Sequence, residues 1–433
     1  MKTVRDLFSY LHASPTAAHA GEETARRLRE AGYTPLSEGE VWHLEKGGKY
    51  YVSRGLSALI AFRLPARPTG FLVVASHSDS PTFHVNPDPE NTAAGKYTRL
   101  SVEKYGGMLS ATWMDRPLSV AGTVCLKTDS GVTVRTVKVE RDLLIIPSVA
   151  IHMNRNANDG ATYNPAVDMQ PLFGDCDVTP GTLRAIVAEE IGVEAGEILE
   201  MDLGLYNRAT ATVLGAKGEY ISGPRLDDLM CAYTALEGFL TSSDTSAVPV
   251  YALFDNEEVG SSTACGADST FLTDVFARIA ASYHLTVEEE QVLWRNSFLV
   301  SADNAHAKHP NHPEYSDPLH APVMGGGVVI KQNANRRYMT DGTSAAVFGE
   351  ICRRAGVPTQ TYCNRADIPG GSTLGCIATS HFSVPGVDIG LAQLAMHSSY
   401  ETAGKADVAH MINALRAFYG TVLTFNGADV TIE

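Results

Sequence analysis

Five short clusters of histidine, aspartate and glutamate occur at comparable points along this 433-residue sequence. Each cluster follows an apolar run of strand length or lies at a break beside a predicted helix. Because functional groups of open α/β sheets collect at the carboxyl ends of the strands, these distant clusters are predicted to converge on one site. They are His77 with Asp79, Asp227 with Asp228, Glu257 with Glu258, Asp303 with His306, and His397 alone.

The residue types in these clusters favour a site for divalent metal ions. Imidazole and carboxylate ligands together suit zinc, manganese or cobalt, and one carboxylate can bridge two ions. Two ions about 3.5–4 Å apart could share one attacking hydroxide and hold the developing oxyanion between them. Neighbouring residues at a strand end point in different directions, so in YALFDNEEVGSS one of Glu257 and Glu258 could ligate metal while the other accepts a proton.

Each cluster also has an ordinary structural interpretation when it is considered alone. Paired aspartates, as at 227–228, often complement the dipole at the start of a helix, and paired glutamates, as at 257–258, often form a solvated loop. A single histidine such as His397 is more often structural than a ligand. An aspartate two residues after His77 is common by chance, although such a carboxylate can orient a ligating histidine. The similar placement of all five clusters favours the catalytic interpretation.

Apolar periodicity divides the chain into an α/β part and a β-rich insertion. Residues 1–85 and 222–433 alternate helical patterns with strand-length apolar runs, among them 71–75, which is typical of a strand buried on both faces. Residues 86–221 instead carry short alternating runs with glycine punctuation. We therefore predict a mixed sheet flanked by helices, interrupted by a mostly β domain.

Two local predictions can be checked against the fold. A hairpin over 41–64 is predicted to turn at Gly47-Gly48, because paired glycines commonly form such turns. The last helix is predicted over 405–424.

Charge and composition restrict the partners and the compartment of the protein. The formal net charge of −15 argues against a nucleic acid or an anionic membrane as partner. No apolar stretch reaches membrane-spanning length and the N-terminus lacks signal-peptide features, so we expect a cytoplasmic protein. The seven cysteines are odd in number and form no C-x-x-C motif, so we expect free, buried thiols in a reducing compartment.

Seven motifs carry a family resemblance: HSDSP, PRLDDL, FDNEEVGS, SADNAHAKHPN, GGGVVIKQN, DIPGGSTLG and MHSSYE. Together they resemble the aspartyl aminopeptidase family of dinuclear metallo-aminopeptidases, and the similarity extends over nearly the whole chain from SPTAAH onwards. The resemblance implies a zinc-peptidase-like fold and peptide substrates. It also implies two divalent ions, with zinc favoured and manganese or cobalt as alternatives.

The resemblance further implies a role for each residue of the site. It implies one bridging carboxylate, two further ligands for each ion, a general base, and a carboxylate that orients one ligand. Asp227 would be the bridging carboxylate, His77 and Asp303 would complete one metal position, and Glu258 and His397 would complete the other. Glu257 would be the general base, and Asp79 would orient His77.

Residues on the substrate side are predicted from other features. The resemblance implies a preference for N-terminal aspartate or glutamate, which requires a cation in the pocket. Lys331 is the candidate, with a surface lysine as the alternative interpretation. Gly370, Gly371 and Ser372 could let main-chain amides approach a substrate closely, although a simple turn is the alternative. His306 is expected on the substrate side or behind a ligand.

The resemblance implies an assembly as well. The insertion, residues 86–221, would mediate dimerisation, and the dimers would build a tetrahedral dodecamer. His152 matches a family histidine that reaches the active site of a neighbouring subunit, with a buried structural histidine as the alternative. Other functions remain compatible with the sequence, namely a deblocking or neutral-residue aminopeptidase and a non-catalytic assembly or cargo protein. The last would be expected to lack a ligand or the base, and the sequence retains all of them.

Overall fold

The computed structural model describes residues 2–433, and ten α-helices lie within that range. In the first of them Leu7, Tyr10 and Leu11 recur at helical spacing and are buried, as the apolar periodicity predicts. The helices are α1 Lys2–Ala13, α2 Ala17–Glu30, α3 Pro165–Asp168, α4 Thr182–Ile191, α5 Leu226–Thr241, α6 Phe271–Ser282, α7 Val287–Arg295, α8 Gly342–Arg354, α9 Leu374–His381 and α10 Lys405–Tyr419.

Strands are distributed over the whole described chain. They are β1 Thr34–Leu36, β2 Lys49–Arg54, β3 Ala58–Arg63, β4 Phe71–His77, β5 Thr82–Ala93, β6 Tyr97–Tyr105, β7 Leu118–Thr128, β8 Gly131–Lys138, β9 Leu172–Asp175, β10 Ile198–Asn207, β11 Thr212–Leu214, β12 Tyr220–Gly223, β13 Val248–Phe254, β14 Phe298–Ala302, β15 Ala305–His306, β16 Val328–Gln332, β17 Thr359–Cys363, β18 Gly386–Gly390, β19 Ala392–Leu394, β20 Glu401–Gly404, β21 Leu423–Asn426 and β22 Asp429–Ile432.

Contacts divide the chain into two compact units. The first unit comprises the residues up to Asp79 together with Ala211–Met396 and Glu401–Glu433. The second unit comprises Ser80–Thr210 and the short segment His397–Tyr400. The predicted fold class, a mixed sheet flanked by helices with an inserted β-rich part, is confirmed. A dimerising role for residues 86–221 stays a prediction.

The first unit is organised around a nine-stranded mixed sheet. Its strand order is β1-β2-β3-β13-β4-β14-β18-β16-β17. Strand β4 lies between β13 and β14 and is parallel to both. The carboxyl ends of these three strands therefore meet at one edge of the sheet, where ligands of α/β proteins bind.

The first five residues of β4 are all apolar because their side chains alternate between the two faces of the sheet, and both faces are buried. Leu72 and Val74 contribute to the core on one face of the sheet, together with residues of α5 and α10. Phe71 and Val73 contribute to the core on the other face, together with residues of α6. A strand that is covered on both faces needs apolar residues at every position.

Two local predictions were wrong in detail. Strands β2 and β3 do form a hairpin, but its turn lies at residues 55–57, where Gly55 adopts φ +63°. Gly47 and Gly48 instead exchange main-chain hydrogen bonds with Leu64 at the open end of the hairpin. The last helix ends at Tyr419 rather than at 424, because a β-hairpin, β21–β22, follows it.

The second unit is a six-stranded sheet in the order β8-β7-β10-β5-β6-β9, and all of its strand pairs are antiparallel. One face of the sheet and α4 enclose an apolar core that includes Phe83, Leu203 and Val187.

All seven cysteines are free, but only Cys231 and Cys352 are buried, so the expectation of buried thiols was wrong for the other five. Across residues 2–433 no helix combines the length and apolarity that crossing a membrane requires.

Candidate metal centre

His77 is the last residue of β4, and its two ring nitrogens face different carboxylates. Nδ1 lies 3.2 Å from Oδ1 of Asp79 and 3.1 Å from the main-chain oxygen of Asp79. Nε2 lies 4.0 Å from Oδ1 of Asp227. An imidazole whose Nδ1–H is held by a carboxylate presents the lone pair of Nε2 outward, which is how ligating histidines are oriented. The structure thus places Asp79 where the sequence predicts an orienting residue.

Asp79 also holds the turn that carries the paired glutamates. Its two carboxylate oxygens accept hydrogen bonds from the main-chain amides of Glu257 and Glu258, each at 3.1 Å. The two glutamates open a 3₁₀ turn directly after β13, and Asn256 before them adopts a left-handed conformation with φ +61°. One buried carboxylate therefore fixes the predicted ligand His77 and the predicted base–ligand pair together.

Three aspartates join His77 in a buried cluster. Ligand atoms of the four residues lie within 4.8 Å of one another. Oδ1 of Asp228 is buried and accepts no hydrogen bond within the described part of the chain. Burying three carboxylates side by side is costly unless a cation compensates them. This donor set of one imidazole nitrogen and carboxylate oxygens fits a divalent ion. The cluster is His77, Asp227, Asp228 and Asp303.

The pKa values in the cluster reflect the same crowding of charge. Burial raises the pKa of Asp228 well above its usual range, and the carboxylates of Asp303 and Asp227 add to this shift. Burial opposes protonation of His77, but Asp228 and Asp79 still raise the pKa of its imidazole.

Potential ligand atoms of Asp227 and Glu258 lie within 4.8 Å of one another and belong to a second group. Asp227 thus belongs to two groups of potential ligands. His397 lies in the segment 397–400 of the second unit and follows Met396 of the first unit in the chain. Its main-chain oxygen accepts a hydrogen bond of 3.0 Å from Leu109, and its ring is half-buried.

Glu257 is half-buried beside the cluster. Burial raises the pKa of its carboxyl to about 7, and the charges of Asp303 and Asp79 add to the shift while His77 opposes it. A carboxyl group with a pKa near neutrality can both accept and return a proton, which general acid–base catalysis requires.

Lys331 is buried, so its interpretation as a surface lysine was wrong. Its Nζ lies 3.5 Å from Oδ1 of Asp303 and 5.6 Å from the ring centre of Tyr338. Burial opposes the charge of Lys331, but the carboxylate of Asp303 raises the pKa of the amine above its usual value. The lysine is therefore a buried cation next to a predicted metal ligand.

The predicted glycine loop is exposed but anchored at one end. Gly371 and Ser372 lie on the surface just before Thr373, whose hydroxyl donates to the buried carboxylate of Asp388. A Cβ at Gly370 would come within 2.5 Å of the side-chain amide of Asn364, which would have to move to admit it. The loop reaches the surface with its main chain accessible.

The remaining predicted residues are not among the clustered potential ligands. His306 is exposed on β15, with its ring centre 6.2 Å from that of Tyr362. His152 is exposed in a turn of the second unit, so its interpretation as a buried structural histidine was wrong. A contact of His152 with a neighbouring subunit stays a prediction.

Asp228, which the sequence places among the converging clusters without a ligand role, belongs to the buried cluster. One contributor to the centre was missed at the sequence level. Glu401 closes the motif MHSSYE, and its carboxylate accepts the main-chain N–H of Asp227 at 2.9 Å. An acidic residue next to the apolar pattern of a strand was the available signal for Glu401.

Comparisons with known proteins identify the family that the chain resembles in sequence. A family model described as "Aminopeptidase I zinc metalloprotease (M18)" matches residues 10–419. A "Probable M18 family aminopeptidase 2" from Clostridium novyi is 40% identical over 427 residues, which cover 97% of this chain and 99% of the relative.

Solved structures extend the similarity to the fold. A chain in "Cryo-EM structure of the Ape4 and Nbr1 complex" matches with a TM-score of 0.93 and 33% identity, covering 96% of this chain and 85% of that one. The chain in "Structure of S. cerevesiae mApe1 dodecamer" matches with a TM-score of 0.83 and 27% identity, covering 96% of this chain and 95% of that one.

Proposed function

The chain belongs to the M18 family of zinc metallo-aminopeptidases, and from that membership we propose that it releases acidic residues from peptide N-termini with two divalent ions. As a member it is an aminopeptidase, which sets aside a non-catalytic assembly or cargo protein. The observation that carries the proposal is the buried cluster of His77, Asp227, Asp228 and Asp303 beside the turn of Glu257 and Glu258.

Five residues are proposed to hold the two ions. Asp227 would be shared by the two positions, because it belongs to both groups of potential ligands. His77 and Asp303 complete one position. Glu258 and His397 complete the other, and the chain bond between Met396 and His397 keeps that histidine tethered to the first unit. The family favours zinc, while manganese and cobalt suit the same nitrogen and oxygen donors.

Glu257 is proposed to act as the general base. When bound, a pair of divalent ions supplies an acidified water and positive charge for the oxyanion that forms at the scissile carbonyl. Glu257 accepts the proton of the attacking water and returns it to the leaving amine, as its near-neutral pKa permits. Asp79 keeps the base in place through the amide of Glu257 and keeps His77 oriented through Nδ1.

The acidic preference is proposed to depend on Lys331. A buried ammonium group within 3.5 Å of a proposed metal ligand could pair with a substrate carboxylate at the same site. His306 and the amides of Gly370, Gly371 and Ser372 are proposed to line the substrate side.

One observation favours a different preference. The charge of Lys331 is already matched by Asp303, so the amine could serve the metal ligand and leave a pocket for neutral N-terminal residues such as leucine. A neutral-residue or deblocking aminopeptidase is therefore the second candidate function.

An assembly is proposed from the relatives. The mApe1 protein of similar fold forms a dodecamer, and we propose a homo-oligomer of the same kind here, built from dimers through residues 86–221. In that assembly His152 would reach the site of a neighbouring copy, which its exposure in the single chain permits.

Rates on aspartyl, glutamyl and leucyl anilide substrates, with added Zn²⁺, Mn²⁺ or Co²⁺, test the proposed specificity. Acidic substrates are expected to be cleaved faster, and Lys331→Met is expected to reduce that advantage while leucyl cleavage persists. Metal content is measured in both proteins, because Lys331 also contacts Asp303. Equal or faster leucyl cleavage by the unaltered enzyme would support the second candidate instead.

A further inference from the structure

A chain of three buried polar side chains lies behind the centre in the first unit. Asn304, Gln393 and Glu401 are exposed by only 1%, 1% and 2%. They come from the segment after β14, from β19 and from β20, three separate parts of the sequence. Such groups are costly to bury unless their hydrogen-bonding capacity is satisfied, so their partners indicate what the chain of side chains is built to hold.

The peptide group that joins Leu226 to Asp227 is held at both of its polar ends. Its carbonyl oxygen, on Leu226, accepts a hydrogen bond of 2.7 Å from Nδ2 of Asn304. Its N–H, on Asp227, donates to Oε2 of Glu401 at 2.9 Å. Asp227 and Asp228 have non-helical backbone dihedrals at the start of α5, so the amide of Asp227 takes its acceptor from Glu401 rather than from a regular helical turn.

The two holding groups are themselves linked through Gln393. Nδ2 of Asn304 donates to Oε1 of Gln393 at 3.1 Å, and Nε2 of Gln393 faces Oε1 of Glu401 at 3.4 Å. The carbonyl of Leu226 requires a donor, which fixes the orientation of the Asn304 amide. Asn304 then requires an acceptor from Gln393, so Gln393 must direct its own N–H toward Glu401. Both oxygens of Glu401 consequently act as acceptors.

We propose that Glu401, Gln393 and Asn304 are positioning residues that set the main chain of Asp227 for metal binding before any ion arrives. The inference rests on the proposed function, because it takes Asp227 as the bridging ligand. Asn304 directly follows Asp303 in the sequence, so the same side chains tie the segments of two proposed ligands together. Preorganisation of this kind lowers the cost of gathering several carboxylates around one cation.

The direction of the hydrogen bonds among Glu401, Gln393 and Asn304 can be tested by paired substitutions. In Glu401→Gln the new amide has a single acceptor oxygen, so either Asp227 or Gln393 loses its acceptor. In Gln393→Glu two carboxylates face each other and repel. The double variant E401Q/Q393E restores the pattern, because the amide introduced at position 401 can accept from Asp227 while it donates to the carboxylate introduced at position 393. A purely space-filling role would not produce such a rescue.

The affinity of metal-stripped protein for Zn²⁺ is measured by competition with a chelator. Each single substitution is expected to weaken binding about 10- to 100-fold, as loss of residues behind metal ligands typically does. The double variant is expected to regain most of that loss. Hydrogen exchange of the peptide covering residues 226–231 in the metal-free proteins gives a second readout, with faster exchange in the single variants and recovery in the double variant.

Two further proteins make the outcome decisive. Glu90→Gln is the matched control, because Oε1 of Glu90 accepts the amide of Leu183 in the first turn of α4, in the second unit; its zinc affinity is expected to stay unchanged. Asp227→Asn tests the proposed function itself. Unchanged zinc binding in Asp227→Asn would overturn the ligand assignment and this inference with it. The positioning role alone would be overturned if Asp227→Asn impairs zinc binding while Glu401→Gln leaves both binding and exchange unchanged. It would also be overturned if Asp227→Asn impairs binding and the double variant shows no rescue.

Discussion

The two units of the protein differ in whether they bury charged side chains. Seven carboxylates of the first unit are exposed by no more than 8%, whereas residues 80–210 of the second unit, all of them described, bury no charged side chain. The second unit fills its core with residues such as Phe83, Leu118 and Val187. The seven carboxylates are Asp79, Asp227, Asp228, Asp303, Asp388, Glu401 and Asp407.

The buried carboxylates of the first unit are themselves of two kinds. Asp407 accepts main-chain amides of Gly325 and Gly327, and Asp388 accepts an amide and a hydroxyl, so hydrogen bonds satisfy them locally. The aspartates around His77 instead face one another. Apolar side chains fill the core of the second unit, while the first unit gathers four potential metal ligands in one buried cluster.

The largest effect is expected from Glu257→Gln. The substitution keeps the shape of the side chain and removes its ability to accept a proton, so turnover should fall about 10²- to 10⁴-fold. Zinc content should stay unchanged, because Glu257 is not a proposed ligand. Steady-state kinetics and metal analysis check both expectations. Turnover within about twofold of the unaltered enzyme at full zinc content would remove Glu257 from the role of base.

A core substitution in the second unit comes next in size. Phe83 is fully buried and packs edge-to-face on Trp113 with ring centres 5.5 Å apart. Phe83→Ala should destabilise this unit by about 3–5 kcal/mol, the usual result of emptying an aromatic site. Exposed Val132 in the same unit is the control, since Val132→Ala should change stability by less than about 0.5 kcal/mol. Urea unfolding measures both, and similar losses in the two variants would contradict an apolar core as the source of stability.

Much of this contrast was predictable from sequence because apolar periodicity and short-range spacing are local properties. The run 71–75 predicted a strand covered on both faces, and β4 has that environment. The clusters after β4, β13 and β14 converge because parallel strands bring their carboxyl ends to one edge. Residue types and topology together therefore predicted the edge of the sheet at which these side chains collect.

The parts that were missed depend on contacts between distant segments. Glu401 is separated from Asp227 by 174 positions, and no local pattern indicates that its carboxylate accepts the Asp227 amide. Lys331 follows an apolar run on β16, which is antiparallel to β18, and spacing alone could not show that its amine reaches Asp303. The glycines at 47–48 carried a turn signal, but the pairing of β2 with β3 put the turn at 55–57.

Removal of metal is expected to affect the two units differently. A ligand at 100 to 1,000 times its dissociation constant stabilises the form it binds by about 2.7 to 4.1 kcal/mol. Chelation should therefore increase hydrogen exchange in peptides that contain Asp227 or Asp303, while peptides of β7 and β10 keep their protection. Exchange mass spectrometry of stripped and reloaded protein measures this. An equal increase in both units would contradict a cation dependence confined to the first.

The smallest effect is expected from an exposed ion pair in the second unit, where His84 Nε2 lies 2.8 Å from Oδ1 of Asp202. This hydrogen bond raises the pKa of His84, to which Glu103 on the neighbouring strand adds, and it lowers the pKa of Asp202. The contribution of His84 is complete below its unfolded pKa of about 6.5 and is lost as the pH rises through the raised folded value. The contribution of Asp202 is complete above about 3.9 and is lost as the pH falls through the lowered folded value.

The pair should therefore stabilise the second unit most between about pH 4 and 6.5. Because the side chains of His84 and Asp202 are 36% and 76% exposed, solvent screening should keep the effect below about 1 kcal/mol, and salt should reduce it further. The difference in unfolding free energy between the unaltered protein and His84→Gln, measured at pH 5.5 and pH 8.5, tests this window. A difference that is the same at both values would show that the imidazole stabilises the sheet by packing rather than by its charge, and this ion pair would then contribute nothing to the second unit through electrostatics.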